Sequence, residues 1–287
     1  MDSVILIHLL NAILMMAVPI VLAIFLVRKW KLSWRFWFVG GATFVLSQVG
    51  HIPFNTLMTM LLNKTSLATL STQNAMYFNA AFLGLSAGLF EELFRYGMFR
   101  WWLKDARSWR KAVIAGAGHG GVEAIILGGL ALLAFFQFTA MRNVDLSTLY
   151  TGQTLITAQA QVSAYWSAAW YDSLLGAVER LFTIVVQISF SVIILQAFLR
   201  RQWGWVVLAI LYHAVVDASA VIVMKLTNAY WTEGLVGVFA LLSLVIILVL
   251  RRPEPEQTAS IVQIDTPVVK PVAAEPTNDQ LDNTKFN

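Results

Sequence analysis

The chain of 287 residues contains no cysteine. That excludes a disulfide framework, a thiol nucleophile and a thiolate metal site. Charge is also scarce. Asp, Glu, Lys and Arg make up 13% of the chain, against about 25% in soluble globular proteins. Hydrophobic residues reach 58%, and mean hydropathy is +0.69. The chain therefore reads as an all-α, multi-pass helical bundle of the cell membrane. There is no internal repeat and no His-Glu-x-x-His pattern. The first apolar run is too long for a cleavable leader and lacks a basic segment before it, so it reads as a spanning helix.

What is present is seven apolar runs: 4–27, 36–62, 76–103, 112–138, 172–199, 203–223 and 235–250. Each is near or above the ~20 residues needed to cross the hydrocarbon, the last being the shortest. Their flanks carry the basic residues unevenly. Arg28, Lys29, Lys31, Arg35, Arg100, Lys104, Arg107, Arg110, Lys111, Arg200, Arg201, Arg251 and Arg252 lie beside alternate connections. The opposite connections hold Lys64, Arg142 and Lys225. By the positive-inside rule the N-terminus lies outside and the C-terminus in the cytoplasm. Trp30, Trp34, Trp37, Trp101, Trp102, Trp203, Trp205 and Trp231 cluster near the proposed interfaces. Residues 1–252 form the bundle. Residues 253–287 are rich in Pro, Thr, Asn, Asp and Glu and read as a disordered cytoplasmic tail. Residues 154–166, inside a long polar and aromatic segment, are expected to form an amphipathic surface helix.

The chemistry gathers in the third run, at Glu91-Glu92-Leu93-Phe94-Arg95. Each ionisable group at membrane depth costs roughly 3 kcal/mol on insertion scales when unpaired. Arg95 is four residues from Glu91 and three from Glu92, so it can reach either on one helix face. The other acid is left over. At ~1.5 Å per residue, Glu91, His119 and His213 fall in one layer between mid-membrane and the cytoplasmic side. That bias points to access from the cytoplasm. Glu123 follows His119 by four residues, and Asp217 follows His213 by four. A carboxylate one turn away can orient an imidazole. Read alone, either pair is a hydrogen bond between helices. Gly116, Gly118, Gly120 and Gly121 leave room beside His119 for another backbone or an extended substrate. Gln187 and Ser191 lie at the His213 level and are expected to line the same cavity. Glu179 and Arg180 read as a clamp between helices. His51, beside the kinking Pro53, is a supporting candidate. His8, near the outer interface, carries no role. The Phe and Met side chains read as lipid-facing or packing residues.

Glu91-Glu92-Leu93-Phe94-Arg95, Gly118-His119-Gly120-Gly121-Val122-Glu123 and His213-Ala214-Val215-Val216-Asp217 together resemble the YhfC family of bacterial integral membrane proteins. That family is distantly similar to the CAAX-processing intramembrane endopeptidases, whose motifs are Glu-Glu-x-x-x-Arg, Phe-x-x-x-His and His-x-x-x-Asn/Asp. The likeness covers the second to sixth runs. It implies a glutamate-dependent intramembrane protease. Glu91 or Glu92 would activate water with His119, while His213 and Asp217 would face the oxyanion. Arg95 comes one residue early and Ala115 stands where the motif has Phe, so the identity of the base stays open. The two acids form a coupled pair. This set suffices for hydrolysis with no cofactor. A zinc-dependent hydrolase, with ligands drawn from three helices, is the first alternative. An ion- or proton-coupled transporter or a membrane partner protein is the second. The expected partners are the bilayer and a membrane-embedded or membrane-associated peptide, with no nucleic acid.

Overall fold

In a bilayer the backbone has no water to bond, so apolar runs of this length close their hydrogen bonds internally as helices. The computed structural model describes residues 3–65, 70–105 and 107–252. Among these residues there is no strand. The long helices are α1 (Ser3–Trp30), α2 (Arg35–Leu62), α3 (Thr72–Gly97), α4 (Trp109–Met141), α5 (Gly152–Ser167), α6 (Leu175–Leu199), α7 (Gly204–Leu226) and α8 (Ala229–Val249). All but α5 coincide with the seven apolar runs. The tail expected at 253–287 lies outside the described residues.

Helix ends follow local capping chemistry. Ser71 accepts a hydrogen bond from the Asn74 backbone N–H and starts α3 four residues before its apolar run. Asn228 accepts from the N–H groups of Tyr230 and Trp231, so α8 starts at Ala229 rather than 235. α3 ends in a wider π turn, Met98–Trp102. The Arg35 guanidinium ties this end to α2, donating to Trp102 O at 2.6 Å and pairing with Asp105.

α1, α4, α6, α7 and α8 are long and apolar enough to cross a membrane by length and composition. α2 and α3 are as long, at 28 and 26 residues. They carry Gln48, His51, Asn55, Glu91, Glu92 and Arg95 and fall outside that apolar group. The chain is a helical membrane bundle.

α6 is its axis: 72% of its most apolar window is buried, against 17–33% in the other four. It packs on α1, α3, α4, α7 and α8. Small residues allow these close approaches. A Cβ on Gly118 would lie 2.0 Å from Trp37 O in α2, and one on Gly116 2.7 Å from Ile188 Cα in α6. Gly120 and Gly121 face Gln187 and Pro19. The glycines around His119 therefore admit neighbouring helices. The space expected there for a substrate is already filled.

α5 corresponds to the amphipathic helix expected at 154–166. It buries Ala158 alone. Its C-terminal end is held by Trp166 Nε1, which donates to Phe138 O at 3.2 Å. His8, expected to have no role, is an anchor here. It stacks on Tyr165 at 4.1 Å and its Nε2 bonds Tyr165 O at 3.1 Å.

Candidate active site

Consecutive helical residues point about 100° apart, and this rotation separates the two adjacent glutamates. Glu91 faces α2, α4 and α6. Gln48 Nε2 donates to its Oε1 at 3.0 Å. Its Oε2 meets His119 Nε2 at 3.0 Å and accepts from Gln187 Nε2 at 3.3 Å. Glu92 faces α7. His213 Nδ1 donates to its Oε1 at 2.9 Å, and Arg95 Nε lies 3.1 Å from its Oε2. The cation thus goes to Glu92, and Glu91 is the acid left over.

Arg95 and Glu92 are both fully buried. Such a pair is tolerated only when the remaining donors are satisfied. Arg95 Nη1 donates to Gln187 O at 2.9 Å and to Ser191 Oγ at 2.8 Å, and Nη2 donates to Gln187 Oε1 at 2.6 Å. Gln187 therefore touches Arg95, Glu91 and, through Nε2 at 2.9 Å, Glu123. Gln187 and Ser191 join the site as expected from their level, though as packed partners of the ions.

The imidazoles are wedged by aromatic rings. Phe190 stacks on His213 at 4.5 Å with planes 7° apart, and Phe44 meets His119 edge-on at 5.3 Å. Both Phe side chains are packing residues, one of the two roles expected of them. His213 Nε2 lies 3.4 Å from Asp217 Oδ2 and 3.9 Å from Glu91 Oε2. The His213–Asp217 pair thus forms as its spacing suggests. The matching His119–Glu123 pair does not. Glu123 instead takes Arg180 Nη1 at 2.8 Å and Gln187. A guanidinium from α6 is a stronger partner than an imidazole one turn away. His119 Nδ1 is left without a hydrogen-bond partner. Arg180 also contacts Glu179, so the clamp joins α6 to α4.

His51 enters through Gln48. It accepts from Asn55 Nδ2 at 2.8 Å on Nε2, and its Nδ1 lies 3.4 Å from Gln48 Oε1. Ser86 Oγ completes this group, 3.0 Å from His51 Nε2. Gln48, Asn55 and Ser86 escape the sequence reading: they carry no charge signal and, unlike Gln187 and Ser191, are not linked there to the site by their level. The faint clue is spacing: Gln48 and Asn55 lie three before and four after His51 on one helix face.

Glu91, Glu92, His119 and His213, from three sequence-distant helices, thus meet in one buried layer. As they stand, no three His, Asp or Glu side chains among the described residues form a ready metal-ligand group. Their contacts are hydrogen bonds and ion pairs. The donor chemistry itself, two imidazoles and a carboxylate, is that of hydrolytic zinc. His213 also shows the support expected of a metal-binding imidazole, its far nitrogen donating to a carboxylate.

Comparison with known proteins agrees with this picture. Residues 14–240 match the family model described as YhfC intramembrane metalloprotease. A Bacillus subtilis (strain 168) protein, described as "Uncharacterized membrane protein YhfC", is 30% identical over 244 residues, covering 82% of this chain and 91% of that one. No solved structure matches. The buried acid-and-histidine layer thus sits within the matched region, and the chain belongs to the YhfC intramembrane metalloprotease family.

Proposed function

We propose that the chain hydrolyses a peptide bond of a membrane-embedded or membrane-associated substrate at Glu91, with water activated between His119 and His213. The observation that carries this reading is the placement of Glu91 Oε2, 3.0 Å from His119 Nε2 and 3.9 Å from His213 Nε2 in a buried layer. Glu91 is the base rather than Glu92, whose oxygens are engaged by Arg95 and His213. Glu91 takes one proton from water as the water oxygen bonds to the scissile carbonyl carbon. As an imidazolium, His213 keeps its Nδ1–H on Glu92 and presents Nε2–H to the developing oxyanion. Collapse of the tetrahedral centre breaks the C–N bond, and the Glu91 proton passes to the leaving amine. Gln48 and Gln187 hold the Glu91 carboxylate in line. Asp217, 3.4 Å from His213 Nε2, holds this N–H until the oxyanion takes it.

A second reading has its own support. Donors on a tetrahedral zinc with ~2.0–2.1 Å bonds stand about 3.3 Å apart, and the separations around Glu91 Oε2 bracket that value. Glu91, His119 and His213 would hold the ion, with Glu92 fixing His213 from behind. A zinc ion so bound supplies a Lewis acid for the carbonyl and a more acidic water. Two measurements separate the readings. Peptides that accumulate in cells expressing Glu91→Ala, relative to wild type, identify the substrate. Cleavage of that substrate by purified protein is then followed with and without chelator. Chelator-insensitive turnover supports the glutamate base, and loss restored by added zinc supports the metal. Full cleavage by Glu91→Gln would sink both. Ion flux in proteoliposomes without any cleavage would favour a transporter.

A further inference from the structure

The helix directions give the Glu91 layer two unlike sides. Toward the arginine-rich end, one to three turns from Glu91, lie Arg95, Met98, Phe99 and Leu103, with Ile114 and Ile194 from facing helices. All are at most 1% exposed. Nothing the size of water passes between side chains so closely packed. Toward the opposite end, one turn beyond His213, the Asp217 side chain is 41% exposed. α7 is a candidate span, and Asp217 lies nine residues before its end, about 14 Å. A carboxylate at that depth does not face hydrocarbon without heavy cost, so its exposed part lies against water or a polar ligand.

A groove lies one turn further along α7. Asp217, Val221 and Lys225 follow one another at four-residue intervals on α7. Val221 and Lys225 line a cavity of about 740 Å³ with Met76, Asn79 and Leu83 of α3, among others. Its floor at Leu83 and Val221 is one turn from Ser86 and Asp217. Its rim carries Thr72, Gln73 and Lys225. From His213 to Lys225 the helix rises about 18 Å, the length of five or six extended residues at ~3.3 Å each.

We infer that the substrate peptide and water reach the Glu91 layer along the seam between α3 and α7, from the end bearing Thr72 and Lys225, with the arginine-rich end closed. This rests on the proposed hydrolysis and specifies its substrate: an extended segment presented at the face opposite the basic connections. Under the positive-inside reading that face is the outer one, the reverse of the cytoplasmic access suggested by depth along the sequence. Val221 and Lys225 extend the row of His213 and Asp217 along α7, and the polar rim of Thr72, Gln73 and Lys225 favours a peptide backbone over a lipid tail as the occupant.

The absence of cysteine makes the test direct. Single cysteines are placed in the full chain at Asn79, Leu83, Val221 and, in the closed half, Ile194. Lys64→Cys and Lys104→Cys report the two faces. A membrane-impermeant thiol reagent is then applied to each side of sealed vesicles. The expected result is labelling of Leu83→Cys and Val221→Cys from the Lys64 side alone, at least tenfold faster than Ile194→Cys from either side. Glu91→Gln should leave this pattern unchanged, because water access does not need turnover. Modified Val221→Cys should lose cleavage while keeping its thermal unfolding midpoint. Val221→Trp, which needs no chemistry, should do the same. Labelling of Leu83→Cys and Val221→Cys by lipid-soluble reagent only would show a lipid-filled groove and overturn the inference. So would labelling of Ile194→Cys from the Lys104 side. Correct labelling without any peptide cleavage would instead retire the proposed reaction and leave the water path standing.

Discussion

The two halves of the bundle on either side of Glu91 use arginine in opposite ways. In the closed half, Arg95 is 0% exposed and bonds Glu92, Gln187 and Ser191. No solvent is near to replace any of these partners. In the open half, Arg180 joins Glu123 and Glu179, whose side chains are 19% and 40% exposed. Both ion groups tie α6 to a neighbour. Only the first encloses its charges completely, so only there does one missing partner strand a charge in a dry interior. The same chemistry is therefore structural cement on one side and a hydrated rim on the other.

The sharpest way to break this comparison is to remove each arginine. Arg95→Ala should destabilise the protein by about 3–5 kcal/mol, because Glu92 loses its guanidinium in a dry interior and keeps only His213. Arg95→Lys should rescue little, since a point charge does not span three partners. Thermal unfolding in detergent reads both, and a near-normal midpoint for Arg95→Ala would erase the distinction between the halves. Glu91→Gln, between the halves, should leave the midpoint in place and lower peptide cleavage roughly 10³-fold, the scale of a lost general base. If Glu92→Gln removed cleavage while Glu91→Gln kept it, the roles of the two acids would be exchanged.

A packing test comes next. Gly118→Ala forces a Cβ to within 2.0 Å of Trp37 O, and should cost about 1–3 kcal/mol as α2 and α4 are pushed apart. Gly129, with nothing within 4 Å of a built Cβ, is the matched control. Gly129→Ala should be neutral or stabilising by up to ~1 kcal/mol. Equal effects at both positions would mean that helix propensity, not close approach, explains the glycines. The smallest effect is expected in the open half. Arg180→Ala should lower stability by about 1–2 kcal/mol, because Glu179 is partly exposed and rehydrates while Glu123 keeps Gln187. A loss as large as that of Arg95→Ala would show the open half to be dry.

Much of this arrangement was legible in the residues. Apolar run lengths mark the long helices, because a backbone in lipid has no alternative to internal hydrogen bonds. Fixed helical rise puts Glu91, His119 and His213 at one depth, whatever the lateral order of the helices. The four-residue spacing of His213 and Asp217 permits their contact, since both sit on one face of one helix.

Everything that depends on which helix lies beside which was hidden. Glu91 and Glu92 are neighbours in the chain. Their roles part only because a 100° turn aims one at Gln48, His119 and Gln187 and the other at His213. Glu123 abandons His119 because α6 delivers Arg180 within 2.8 Å. The glycines near His119 admit α1, α2 and α6 rather than a substrate because those helices reach them first. Helical periodicity fixes depth and facing within one segment. The partners across a helix interface are set by packing, which the tertiary structure alone decides.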